Sequence, residues 1–244
     1  MRKLMAIAAL LALAGCSTGF NRVAMQERLQ QEARIFVDDP DVFQIEQVRP
    51  QLPIPFRLAV VPPSMINRPS WGQPGETEGE RAEILAWGEK LKAEGIVSEL
   101  ILIPEMLVGV NGSPGSPGSY KAVRVAAARL GADAILVLRS VTETDSYMNP
   151  LGLLDLTIVG MWVAPGHHKD TLTVLEGLLI DNRNQYVYFA GSAEGKGSTL
   201  APWALLDEKE AVRESRCAAL KSFGDRLVQQ SRSAPGSRYG TPGK

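Results

Sequence analysis

The chain has 244 residues, of which 45% are hydrophobic and 22% charged, with 26 Lys and Arg against 27 Asp and Glu. That hydrophobic share excludes a chain disordered throughout, and a formal net charge of −1 gives no electrostatic reason to expect nucleic acid or anionic lipid as a partner. The length suits one ordinary domain with flexible ends.

Arg2 and Lys3 precede an uncharged apolar run, Leu4 to Ala14, which closes on Leu13-Ala14-Gly15-Cys16. A basic head, ~7–15 apolar residues and a small-residue cleavage site make a secretory signal. The run is shorter than the roughly 20 apolar residues that a membrane-spanning helix needs. The Leu-Ala-Gly-Cys ending resembles a bacterial lipobox, which implies a signal peptide over 1–15 and lipid on Cys16 as the new amino terminus. Each buried CH₂ contributes about 0.8 kcal/mol, so two or more acyl chains such as palmitate anchor firmly where one would not. Ser17 stands where Asp typically retains bacterial lipoproteins at the inner membrane. The expected location is therefore the outer membrane, with the domain in the periplasm. The expected partners are the membrane, through lipid on Cys16, and an unidentified envelope protein.

Residues 16–55 read as a tether. A helix is expected from Val23 to Val37, with Met25, Leu29 and Phe36 at loosely helical spacing. Asp38 to Pro55 carries four prolines, each lacking a backbone donor, and reads as an extended, mobile arm. The domain is placed at 56–230. It opens with a buried strand, Phe56 to Val61, stopped by Pro62-Pro63, and a polar loop carrying Trp71 follows. Thr77 with Glu80 three residues on is a capping box, and the helix it starts stops at Gly95. Val97 to Ile103 is a second strand. Gly109 to Ser119 is a low-complexity loop without the Gly-x-x-x-x-Gly-Lys pattern that cradles phosphate.

A second helix runs from about Tyr120 to Leu130 and ends at Gly131. Ala132 to Leu138 is apolar on both faces, as expected of a central parallel strand. Asp155 to Val163, Thr171 to Ile180 and Tyr186 to Ala193 then read as an antiparallel meander. Pro165-Gly166-His167-His168 and Asp181-Asn182-Arg183-Asn184 serve as its turns. A last helix spans about Pro202 to Gln230, and 231–244 is rich in Ser, Gly and Pro, as disordered tails are. The expected fold is α/β (mixed α+β): one mixed sheet in the order β-α-β-α-β-β-β-α, with helices packed on it.

Three segments carry a family resemblance: Arg57-Leu58-Ala59-Val60-Val61-Pro62-Pro63, the run from Ala126 to Leu138, and Glu176-Gly177-Leu178-Leu179-Ile180-Asp181. With the element order, they resemble small periplasmic lipoprotein domains of the CsgG and TolB-amino-terminal-like kind, and the rhombotarget lipoproteins within that group. The resemblance implies an envelope location and an assembly role rather than a chemistry.

Candidate chemistry is sparse. His167 and His168 are the only histidines, and no metal-ligand spacing or Gly-x-Ser-x-Gly elbow accompanies them. A solvated turn is the expected setting, and no metal, cofactor or catalytic residue is assigned. Glu143 and Asp145 read as loop acids beyond the third strand, where clefts of open α/β sheets lie. Cys217 reads as a buried, inert thiol among Ala218, Leu220 and Phe223; the alternative is a reactive thiol, for which Arg213 and Arg216 are the nearby cations. Tyr147, Met148, Leu151, Leu153 and Leu154 form an apolar connection between the two halves. It serves either as core or as a loop that meets a partner or the bilayer. Trp71 and Trp203 could anchor the same contact. The function expected is a noncatalytic adaptor or assembly module. The alternatives are a secretion-channel subunit of CsgG type, or a periplasmic hydrolase that would gather Glu143, Asp145, His167 or Cys217 in one cleft.

Overall fold

The computed structural model describes residues 20–33, 48–66, 77–108, 117–149, 162, 166–201 and 208–233. The elements in chain order are α1 (Arg22–Ala33), β1 (Phe56–Val61), α2 (Pro63–Ile66), α3 (Glu78–Ala93), β2 (Val97–Leu102), α4 (Glu105–Val108), α5 (Pro117–Arg129), β3 (Ala134–Met148), β4 (His167–Asp181), β5 (Val187–Ala201) and α6 (Glu208–Ser233). The five strands form one open mixed sheet in the order β2-β1-β3-β4-β5. β1 runs parallel to β2 and β3, and β4 runs antiparallel to β3 and β5.

The local signals act as the sequence indicates. Thr77 Oγ1 accepts from the Glu80 amide and the Glu80 carboxylate accepts from the Thr77 amide, closing both ends of the capping box. Gly95 and Gly131 take positive φ (71° and 70°), the conformation that lets a helix stop where a side chain would be strained. Leaving β1 for β2 and returning past β1 to β3 requires two crossovers in opposite directions. If both are right-handed, their helices fall on opposite faces. They do: α3 packs with α6 over Leu58, Val60, Leu136 and Leu138, whereas α5 covers Ala59, Val61, Ile135 and Val137.

The structure corrects several expectations. β3 does not stop at Leu138 but runs to Met148, because β4 stays in register with it along its whole length, from Ala134↔Asp181 to Met148↔His167. Glu143, Asp145, Tyr147 and Met148 are therefore strand residues, not loop residues, and His167 and His168 open β4 instead of forming a turn. Thus β3 pairs parallel on one side only. The Asp181–Asn184 turn is as expected, with Gln185 at φ 63° beside it. α5 begins at Pro117 rather than Tyr120, and α6 continues to Ser233. The strand expected at 155–163 lies outside the described residues except for Trp162, whose backbone is helical and whose side chain is 53% exposed. The described residues hold five strands in one mixed sheet, the number in the expected order β-α-β-α-β-β-β-α.

The tether is also less free than its composition implies. α1 lies on the sheet with Met25 and Leu29 fully buried against Leu172 and Val174. In the arm, Leu52 belongs to the main core, and the Tyr188 hydroxyl accepts from both the Gln51 and Leu52 amides at 2.8 Å. The Asn184 side-chain amide donates to Arg49 O. A proline-rich stretch without regular structure is thus fixed by one apolar plug and three hydrogen bonds.

Candidate functional site

Past residue 139, β3 leaves the parallel half and continues with β4 and β5 as an antiparallel arm. Strands of 15 residues span about 50 Å at ~3.3 Å per residue. Alternation sorts the arm's side chains onto two faces. One face carries Thr142, Thr144, Thr171 and Thr173 beneath α6. Thr142 and Thr173 face each other across the strands at 3.0 Å, and Thr144 and Thr171 at 3.3 Å. Thr173 Oγ1 is 2.8 Å from Ser215 Oγ, which donates to Val212 O. Since each hydroxyl has one proton, the chain of donors must run Thr142 to Thr173 to Ser215 to the helix carbonyl.

The same face lets α6 come close. A Cβ on Gly195 would strike the backbone of Ala219 and Ser215, and one on Gly197 would strike Ala211 O. The β5 edge is held by the helix as well, with Ser198 N donating to Glu214 and Arg226 donating to Ser192 O. Side chains that occupy edge donors and acceptors oppose pairing with another strand.

The other face carries α1 and the acids singled out from sequence. Glu143 pairs with Arg28 of α1 at 3.3 Å, and Glu194 of β5 pairs with Arg22 at 3.2 Å. Asp145 lies directly opposite Asp170. At the far end Tyr147 stacks on His168, with ring centroids 4.9 Å apart and planes 2° from parallel, and its hydroxyl donates to Asp170. That hydrogen bond raises the Tyr147 pKa above the ordinary phenol value, with burial and the Asp170 and Asp145 charges acting in the same sense. Asn149 Nδ2 lies 3.1 Å from His168 Nε2.

The residues proposed for hydrolytic chemistry are not brought together. Glu143 and Asp145 face α1, while His167 alternates to the α6 face. Cys217 sits on α6 near the start of α3, where a Cβ on Gly79 would be 3.2 Å from its sulfur. Burial raises the Cys217 pKa, Glu80 and Glu83 add to the rise, and Arg213 opposes it. Cys217, expected to be buried, is half-buried, and Arg216, one of the two cations that a reactive thiol would draw on, pairs with the buried Glu80 at 3.6 Å. Among the described residues no three His, Cys, Asp or Glu side chains converge as a metal site would require. Cys16, Trp71, Leu151, Leu153, Leu154 and Trp203 lie outside the described residues. Tyr147 is half-buried and Met148 is 45% exposed at the arm's end. Among the described residues no helix is long and apolar enough to cross a membrane.

No protein family and no curated protein matches the chain. Among solved structures, the chain is similar to lipoprotein GNA1162 from Neisseria meningitidis, at 16% identity and a TM-score of 0.33, over 73% of this chain and 99% of that one. A minor lipoprotein from Acinetobacter baumannii matches at 9% identity and a TM-score of 0.33, over 76% and 98%. Protein XCC0632 from Xanthomonas campestris matches at 14% and 0.32, over 77% and 95%. Likenesses at this level assign neither an activity nor a partner to the chain.

Proposed function

We propose that the chain is a lipid-anchored lipoprotein of the bacterial envelope, with the mixed-sheet domain acting as a noncatalytic assembly or adaptor module on the periplasmic side of the outer membrane. The observation that carries this is the Leu13-Ala14-Gly15-Cys16 ending on a charged-then-apolar leader. The finer kinship with CsgG-type and rhombotarget lipoproteins rests on the three segments quoted above, and the adaptor role on what that kinship implies. A secretion-channel role is less well supported. A lipid-facing barrel strand needs a free apolar face, whereas both faces of β4 meet helices of the same chain, at Thr173–Ser215 and at Leu172–Met25–Leu29.

The test is partition of the full chain between detergent and aqueous phases, with mass measurement of its amino terminus. The native chain should enter the detergent phase carrying acyl groups, and Cys16→Ser or globomycin should move it to water. Equal membrane retention with and without Cys16 would overturn the reading.

A further inference from the structure

We infer that the lipid bilayer itself covers the α1-bearing face of the antiparallel arm, so that the domain lies against the membrane rather than swinging from it. The inference rests on the lipid at Cys16 proposed above, and adds to it an orientation that the length and attachment of the chain dictate.

Cys16 is four residues before Phe20, and Phe20 packs partly buried against the cluster that holds α1 to the sheet. Four extended residues reach at most about 14 Å. With Cys16 at the headgroup boundary, the start of α1 is held within that distance of the bilayer. The helix in turn cannot leave the sheet cheaply. Met25 and Leu29 are fully buried against Leu172 and Val174, and Arg22 and Arg28 bridge to Glu194 and Glu143 on two different strands. The anchor therefore reaches the domain on one face, with α3 and α6 on the far side of the sheet. That face carries acids, of which Glu143 and Glu194 are paired with Arg28 and Arg22, and it also turns apolar groups and a cation outwards. Val23, two residues or about 200° around the helix from the buried Met25, is 65% exposed, and Leu200 at the arm's end is 52% exposed. Lys196 lies on the same face of β5, exposed to solvent and opposite Leu172. Exposed apolar side chains and a cation on one face fit the headgroup boundary.

Lysine acetylation read by mass spectrometry tests this without altering the surface. The lipidated full chain is placed, at about one copy per vesicle, in vesicles of phosphatidylethanolamine and phosphatidylglycerol, and compared with the water-soluble Cys16→Ser chain. Acetylation of Lys196 should fall on vesicles while that of Lys221, exposed on α6, stays unchanged. A flexible Gly-Ser insertion of about ten residues after Thr18 should restore Lys196 reactivity without releasing the protein from the vesicle. Equal labelling of Lys196 and Lys221 in both states would overturn the inference. So would protection that appears only at crowded density, which would assign the face to a second copy of the chain. If Cys16 proves unlipidated, the anchor reading fails by itself. The Cys217→Ser chain, coupled through Cys16 to a maleimide phospholipid, then decides the orientation by the same footprint.

Discussion

The two ends of β3 show one strand held in two different ways. From Ala134 to Leu138 it lies between parallel and antiparallel neighbours, apolar on both faces, under α3 and α6 on one side and α5 on the other. From Ser140 to Met148 it is half-buried or exposed, its own side chains are mostly hydroxyls, acids and a tyrosine, and its partners on β4 pass from Leu175 and Val174 to Asp170, Lys169 and the two histidines. The parallel end is stabilised by burial of large side chains. In the arm, close backbone approach at Gly195 and Gly197 and a relay of hydroxyls take that place. A core of large side chains loses most when a side chain is removed. A contact between backbones loses most when an atom is added.

Substitutions should separate the two. The largest effect is expected for Phe223→Ala. Phe223 is fully buried, packs edge-on against Phe189 and abuts Gly177, so its loss should cost about 4 kcal/mol of unfolding free energy in urea titration. A cost below about 1 kcal/mol would place the core elsewhere. Gly195→Ala comes next, at about 3 kcal/mol, although it adds only one methyl group. Hydrogen exchange should then quicken in β5 and the first half of α6 while β1 and β2 keep their protection. A uniform loss of protection would show that arm and parallel end are one cooperative unit.

Thr173→Val keeps the shape and interrupts the relay, leaving Thr142 without its acceptor and Ser215 without its donor. About 1–2 kcal/mol is expected, and pairing it with Ser215→Ala should cost less than the sum of the two single changes. The smallest effect concerns pH. Burial raises the Glu176 pKa, Arg139 opposing, so the folded state holds that proton more tightly than the unfolded one. The stabilisation is fully present below the ordinary carboxylate pKa and is lost as pH rises through the raised value. Glu176→Gln should therefore flatten the stability profile between the ordinary carboxylate pKa and the raised value. An unchanged slope would mean that the Arg139 charge cancels the burial.

Much of the parallel half was legible in the sequence because its signals are local. Short apolar runs ended by proline, the Thr77–Glu80 capping box, and glycines at positive φ after α3 and α5 each act within a few residues. The candidate chemistry was harder to read, since its location depended on where strands ended. Glu143, Asp145, Tyr147 and the two histidines looked like loop residues because polar side chains interrupt the apolar pattern there. That pattern marks which faces are buried, and says nothing of how long two strands keep pairing. The full β3–β4 register continues through those polar positions because backbone hydrogen bonds are indifferent to side-chain polarity.

By itself, then, the sequence determined the basic-then-apolar run that closes on Cys16, the order of elements and the mixed sheet, all of which depend on residues close together in the chain. Only the tertiary structure decided that α1 and Leu52 are fixed parts of the domain, that Arg216 pairs with Glu80, and which face of the arm carries α1. Each of those is a contact between segments far apart in sequence. Whether Met25 and Leu29 belong to a loose tether or a docked helix depends on Leu172 and Val174, which present an apolar face only once β3 and β4 have paired.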